Sequence, residues 1–197
     1  RRWDDLVAVV ELKLTGVDDP AARLTELKGL AQVHESGRAD LPSAFATWRR
    51  ALHEDPSDFD ARMELERFAG ALQRWSDLVV VLEEESAATG DPTVGGELAV
   101  RAAELSRDRL EDDPRAVANY RRALDIAGDT DEVLQALDDL YARNSQWAEL
   151  LEVLDRRVAI AAPEALDGLE VRVAALRQKQ FDDPAGAPAA HRNLLHR

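Results

Sequence analysis

Trp3, Trp75 and Trp147 stand 72 residues apart, each inside the same short phrase. The phrase reads RWDDLVAVVE over Arg2–Glu11, RWSDLVVVLE over Arg74–Glu83 and QWAELLEVLD over Gln146–Asp155. Tryptophan is scarce, with four in 197 residues, so a fixed period for three of them is not a chance arrangement. A period of this size marks a chain built from units, each burying its apolar face against the next. The same slide lays Asp19-Pro20 on Asp91-Pro92, Asp40 and Pro42 on Asp112 and Pro114, and Arg49-Arg50-Ala51-Leu52 on Arg121-Arg122-Ala123-Leu124. In the third copy the match slips by one or two residues, Pro163 answering Pro92, as loops readily absorb.

The apolar spacing within a unit is helical. Ala61, Leu65, Phe68 and Leu72 fall at i, i+4, i+7 and i+11, and Leu150, Val153 and Leu154 form a similar stripe. No segment alternates apolar and polar residues long enough to suggest a half-buried strand. Asp19-Pro20, Asp91-Pro92, Asp113-Pro114 and Asp183-Pro184 read as an N-cap followed by proline at the first helical position. Breaks at Thr15-Gly16, Ser36-Gly37, Asp55-Pro56, Thr89-Gly90 and Gly128-Asp129 leave about eleven helices of roughly 10–16 residues. The fold class is all-α.

Each unit divides into two helical hairpins. The clearest half is Ala44-x3-Trp48-x2-Ala51-Leu52-x3-Pro56, repeated as Ala116-x3-Tyr120-x2-Ala123-Leu124. This order of small residue, aromatic and alanine, with proline five residues on, resembles the second helix of a tetratricopeptide repeat. The segments around Leu65 to Ala69 and Leu137 to Tyr141 look like the first helix of that motif. Leu78 and Leu150 stand where the family has a small residue, so those hairpins are degenerate members. The resemblance implies a right-handed superhelical solenoid of antiparallel helix pairs. A half repeat at 1–15 would be followed by hairpins at about 20–55, 57–89, 91–127, 129–161 and 163–197. The chain opens inside a repeat and closes on Ala189–Leu195 without a polar capping helix, so a longer parent protein is expected.

A net charge of −14 with no basic run longer than a pair speaks against nucleic acid and is compatible with a partner carrying a basic segment. There is no cysteine, hence no disulfide and no thiolate metal site. No apolar stretch approaches the length of a membrane span, so direct membrane insertion is not expected, and the N-terminus is not signal-like. A cytoplasmic location is expected and a periplasmic one stays compatible. Lysine occurs only at 13, 28 and 179 beside abundant arginine, alanine and aspartate, a bias that suggests a GC-rich bacterial gene.

Catalytic and metal chemistry find no footing. His34, His53, His191 and His196 form no i, i+3 or i, i+4 pair and read as surface or loop residues. Of the acidic pairs Asp18-Asp19, Asp112-Asp113, Asp138-Asp139 and Asp182-Asp183, three lead into proline or lie next to it at helix starts, where capping explains them better than a role as paired catalytic or metal-binding carboxylates. Gly95-Gly96 follows no strand and is a poor nucleotide signal. Trp3, Trp48, Trp75, Tyr120 and Trp147 read as packing residues. No cofactor and no enzymatic activity are expected.

The resemblance implies that the first helix of each hairpin lines a concave groove. Outside the apolar stripe of the Asp58–Leu72 segment lie Asp60, Met63 and Arg67, and 72 residues on lie Glu132, Gln135 and Asp139, with Arg143 beyond. The intervening hairpin offers Leu98, Arg101, Leu105 and Asp108, its later copy Leu169, Arg172, Leu176 and Lys179. Such a mixed surface suits an extended peptide or a partner helix. Charge reversal at Arg101 and Arg172 is expected to weaken capture while leaving helicity intact. Asn119, Asn144 and Asn193 miss these faces, which argues against the Lys/Asn clamp of chaperone-tail adaptors. The expectation is a non-catalytic protein-protein interaction scaffold. The alternatives are a regulatory or substrate-recruiting arm of a larger enzyme, and a head-to-tail assembly module self-associating through uncapped ends.

Overall fold

A computed structural model describes residues 2–180, all of whose regular structure is helical. The ten α-helices are α1 (Arg2–Leu14), α2 (Pro20–Gln32), α3 (Leu41–Glu54), α4 (Phe59–Leu72), α5 (Trp75–Ala88), α6 (Pro92–Asp108), α7 (Asp113–Ala127), α8 (Asp131–Arg143), α9 (Trp147–Ile160) and α10 (Pro163–Gln180). Expectations for Asp182-Asp183-Pro184, His191, Asn193, His196 and the closing Ala189–Leu195 helix lie outside the described residues. The chain forms two compact units, divided inside α7 between Asn119 and Tyr120.

The helix starts follow from side-chain caps that satisfy otherwise orphaned first-turn amides. Asp19 accepts from the Ala22 amide at 3.0 Å, Asp40 from Ser43 at 3.1 Å and Asp58 from Ala61 at 2.7 Å. Asp91 takes the amides of Thr93 and Val94, and Thr130 that of Val133. At α7 the cap is Asp112, which accepts from the Arg115 amide at 3.0 Å, rather than the expected Asp113. Asp113 is already the first helical residue, which places Pro114 at the second position, as Pro42 is placed in α3. The expected break at Ser36-Gly37 is wound instead into a π turn, Val33–Gly37.

In the first unit, helices next to each other in the chain pack together from α1 to α6, and α3 also meets α5. Ala44, Ala51, Ala61, Ala69 and Ala102 are fully buried beside Leu52, Leu65, Phe68, Leu78 and Leu98. Small residues alternating with large ones let the helix axes approach while the large side chains fill the remaining space. Trp48 is buried within this core. A Cβ at Gly70 would come within 3.2 Å of the Trp75 ring, so the absence of a side chain there seats the indole. In the second unit α8 packs on α9 and α9 on α10, around Leu134, Leu137, Leu140, Tyr141 and Leu154.

The backbone keeps the 72-residue register. Ala39 and Glu111 share a φ of 53°, and Gln73 and Ser145 adopt 55° and 56°. The Arg74 amide closes on the Ala69 carbonyl as the Gln146 amide closes on that of Tyr141. At these two places in the unit the helix therefore ends by the same device in successive copies: a left-handed residue that lets the following amide turn back on the last carbonyls.

Candidate interaction surface

Helices α2, α4 and α6 are tied side by side by ion pairs between residues about half a unit apart. Lys28 of α2 donates to Asp58 at 2.7 Å and to Asp60 at 3.0 Å on α4. Arg62 of α4 reaches Glu97 of α6 at 3.1 Å, and Arg101 of α6 holds Glu66 of α4 through Nε and Nη2. Burial works against the Lys28 charge, but its bonds to the two aspartates outweigh that and raise its pKa above the ordinary lysine value. The bonds to Glu66, then to Glu104, raise the Arg101 pKa in the same way. The largely solvent-facing pairs each contribute about 0–1 kcal/mol, so their main effect is to set the alignment of the helices.

Between α2 and α4 this alignment leaves a cavity of about 260 Å³ lined by Lys28, Gln32, Glu35, Trp48, Asp60, Met63 and Glu64. Met63 is 51% exposed, an apolar side chain standing in a polar rim. Beside it Arg67 bonds Glu64 and reaches Glu35 at 2.9 Å, with its guanidinium 4.2 Å from the Phe68 ring centre. Carboxylates outnumber cations around the opening.

Of the expected groove residues, Asp60 and Met63 line this cavity and Arg67 flanks it. Leu98 and Leu105 do not belong to any surface: both are buried in the core cluster of the first unit. The correction has a clear cause. Gly95, Gly96, Leu98, Ala99, Ala102, Ala103, Leu105 and Ser106 are all buried, so α6 is covered over most of its circumference and one apolar stripe does not describe it. Asp108 is exposed and takes the guanidinium of the adjacent Arg107, which holds its carboxyl below the usual range. In the second unit Glu132, Asp139 and Arg143 are exposed on α8, and Gln135 donates to Asp139 at 2.9 Å. Arg172 is committed elsewhere, gripping Asp138 with both terminal nitrogens. Asp138 lies fully buried inside α8 and also accepts from Arg157 at 2.9 Å. The Arg101–Glu66 and Arg172–Asp138 pairs occupy equivalent places, the arginine shifted by one residue from the 72-residue step.

Lys28, Gln32, Glu35 and Glu64 escaped the spacing argument, which began its groove at α4. A step of 35 residues back from Leu98 reaches Met63, and a second reaches Lys28. That half-unit step would have identified α2.

His34 departs from the surface or loop assignment, because it is buried in the π turn and its Nδ1 has no hydrogen-bond partner. Burial, with Arg38 and Arg50, pushes its pKa below the ordinary histidine value, while Asp40 and Glu11 oppose the shift. The unfolded chain therefore binds this proton more readily than the fold. The stabilisation is present above the unfolded pKa near 6.5 and is lost as pH falls through it toward the lower folded value. The thermal midpoint of the intact chain is expected to drop between about pH 7 and pH 5, and His34→Leu should flatten that part of the profile. Equal slopes for the two proteins would remove His34 as the source. Glu11 and Asp40, whose carboxyls are held low by Arg50 and by Ser43, act in a separate, more acidic window. His53 is a surface residue bonded to the buried Glu85 at 3.1 Å.

Among the described residues no group of three His, Asp or Glu side chains is arranged to hold a metal ion, and no helix is long and apolar enough to cross a membrane. No family model matches the chain, and no curated protein matches it.

Proposed function

We propose that this chain is a non-catalytic interaction scaffold of tetratricopeptide type, whose stacked helix pairs present the α2–α4 groove to an extended peptide or a partner helix. The observation that carries the reading is Met63, a half-exposed apolar anchor inside a cavity rimmed by Lys28, Glu35, Asp60 and Glu64. An apolar contact surrounded by oriented polar groups is the usual make-up of a peptide site. The excess of carboxylates favours a ligand with a basic residue beside its apolar one.

The test is selection of peptides from a displayed random library by the intact chain. Enriched sequences should pair an apolar residue with Lys or Arg, and Met63→Asp should weaken their binding at least about tenfold. The thermal midpoint should stay within about 2 °C, since residue 63 is exposed. A library yielding no enriched peptide, or binding that survives M63D, overturns the reading. Charge reversal at Arg172 is not a usable probe, because it would set a carboxylate against the buried Asp138.

A further inference from the structure

Helices α3 and α5 run side by side in the same direction, and a furrow follows the seam between them. At one end it is a cavity of about 270 Å³, with Phe45, Ala46, Val80 and Val81 as its apolar wall and Arg49 and Arg74 on its rim. Arg49 also borders a neighbouring cavity of about 490 Å³, where Arg23, Arg50 and His53 lie among Glu54, Glu84 and Glu85. The shared arginine makes the two cavities consecutive stretches of one furrow. By the helical rise it follows α3 for about 18 Å, which is room for about five residues of extended chain.

Two features of the first cavity are not required by the fold. Val80 is 39% exposed and stands outside the buried stripe of α5, which runs through Leu78, Val81 and Leu82. Its equivalent in the 72-residue register is Glu152, which Arg121, the equivalent of Arg49, approaches at 3.9 Å. With valine at position 80, Arg49 pairs with Glu84 at 2.7 Å, and the space beside Val80 stays open. Arg74 is the second feature, and its equivalent is the uncharged Gln146. The Arg74 side chain is 46% exposed and makes no hydrogen bond among the described residues, with Asp77 standing at 3.8 Å. In a chain of 39 acidic and 25 basic residues, spare arginine donors beside an exposed apolar wall are an exception.

We infer that the α3–α5 furrow is a docking surface for an extended acidic peptide, which seats an apolar side chain against Val80 and turns a carboxylate to Arg74. Charge complementarity selects this occupant, since a guanidinium with open donors takes a carboxylate through paired hydrogen bonds and repels a basic segment. The α2–α4 groove, where carboxylates outnumber cations, favours the opposite charge. The two surfaces share no lining residue, and this one stands whether or not that groove binds peptides.

The experiment selects peptides from a displayed random library with the full chain carrying Met63→Asp, so that the other groove does not contribute. Enriched sequences should place Leu, Ile or Phe within about five residues of Asp or Glu. Val80→Glu, which installs the residue of the later copy, should weaken their binding at least about tenfold. Arg74→Gln should slow association and reduce its salt dependence. Both variants should keep the thermal midpoint within about 2 °C, since residues 74 and 80 are exposed. A library without acidic-apolar sequences, binding that survives V80E, or an association rate unchanged by R74Q would overturn the proposal. So would sedimentation showing self-association that V80E abolishes, since a second copy would then occupy the furrow.

Discussion

Replacing Asp138 with alanine is expected to lower the unfolding free energy by about 3–5 kcal/mol, the range for removing one partner of a buried ion pair. The carboxylate is fully buried and receives Arg157 and both terminal nitrogens of Arg172. Alanine leaves the nearly buried Arg157 guanidinium with Asp131 alone, and water cannot replace the missing acceptor at low cost. The effect should be read as a shift of the urea midpoint with an unchanged slope, with Asp139→Ala, one residue away but exposed, staying within about 0.5 kcal/mol. Asp138→Leu together with Arg157→Met should recover much of the loss, because a well-packed apolar replacement avoids the desolvation penalty. A loss under about 1 kcal/mol for D138A would show that the cluster contributes no more than a surface pair.

Leu98→Ala should cost about 2–5 kcal/mol, the sum of lost transfer energy and the cavity left behind. Leu98 is fully buried among Leu65, Phe68, Leu78 and Ala102 in the core of the first unit. Helix α5 packs closely along α6, and close packing limits how far the site can collapse around the missing carbons. Met63→Ala provides the contrast, since an exposed methionine should change stability by no more than about 0.5 kcal/mol. Denaturant titration of both variants decides the matter. If L98A falls within the same small range, Leu98 points outward, as its spacing in the sequence had implied.

That pair of residues shows where sequence reading succeeds and where it stops. The repeating tryptophan phrase, the Asp caps and the stripe through Ala61, Leu65 and Phe68 are local features, and local hydrogen bonding and periodicity are enough to read helices from them. Subtraction of that stripe leaves Met63 outside it, and Met63 is exposed. The same subtraction fails on α6, where burial extends around most of the helix and no single apolar face remains to subtract. Arg101 and Arg172 are exposed enough to suggest binding, yet their partners Glu66 and Asp138 lie 35 and 34 residues away. A rule that looks three or four residues along one helix cannot find such partners. The burial of His34 was equally hidden, because nothing near it announces a π turn.

The left-handed residues Gln73 and Ser145 have a consequence for how such a chain can change length. Each sits at φ near +55°, ahead of a Trp-containing helix, with the same amide-to-carbonyl closure around it. Two joints of identical local geometry are natural splice points: joining Gln73 to Gln146 would excise one complete period while preserving the backbone path at the seam. Duplication at the same seam would lengthen the protein by that increment. Growth by crossing-over between equal turns requires no new hinge, and each inserted segment would bring its own caps, small-residue contacts and ion-pair partners with it.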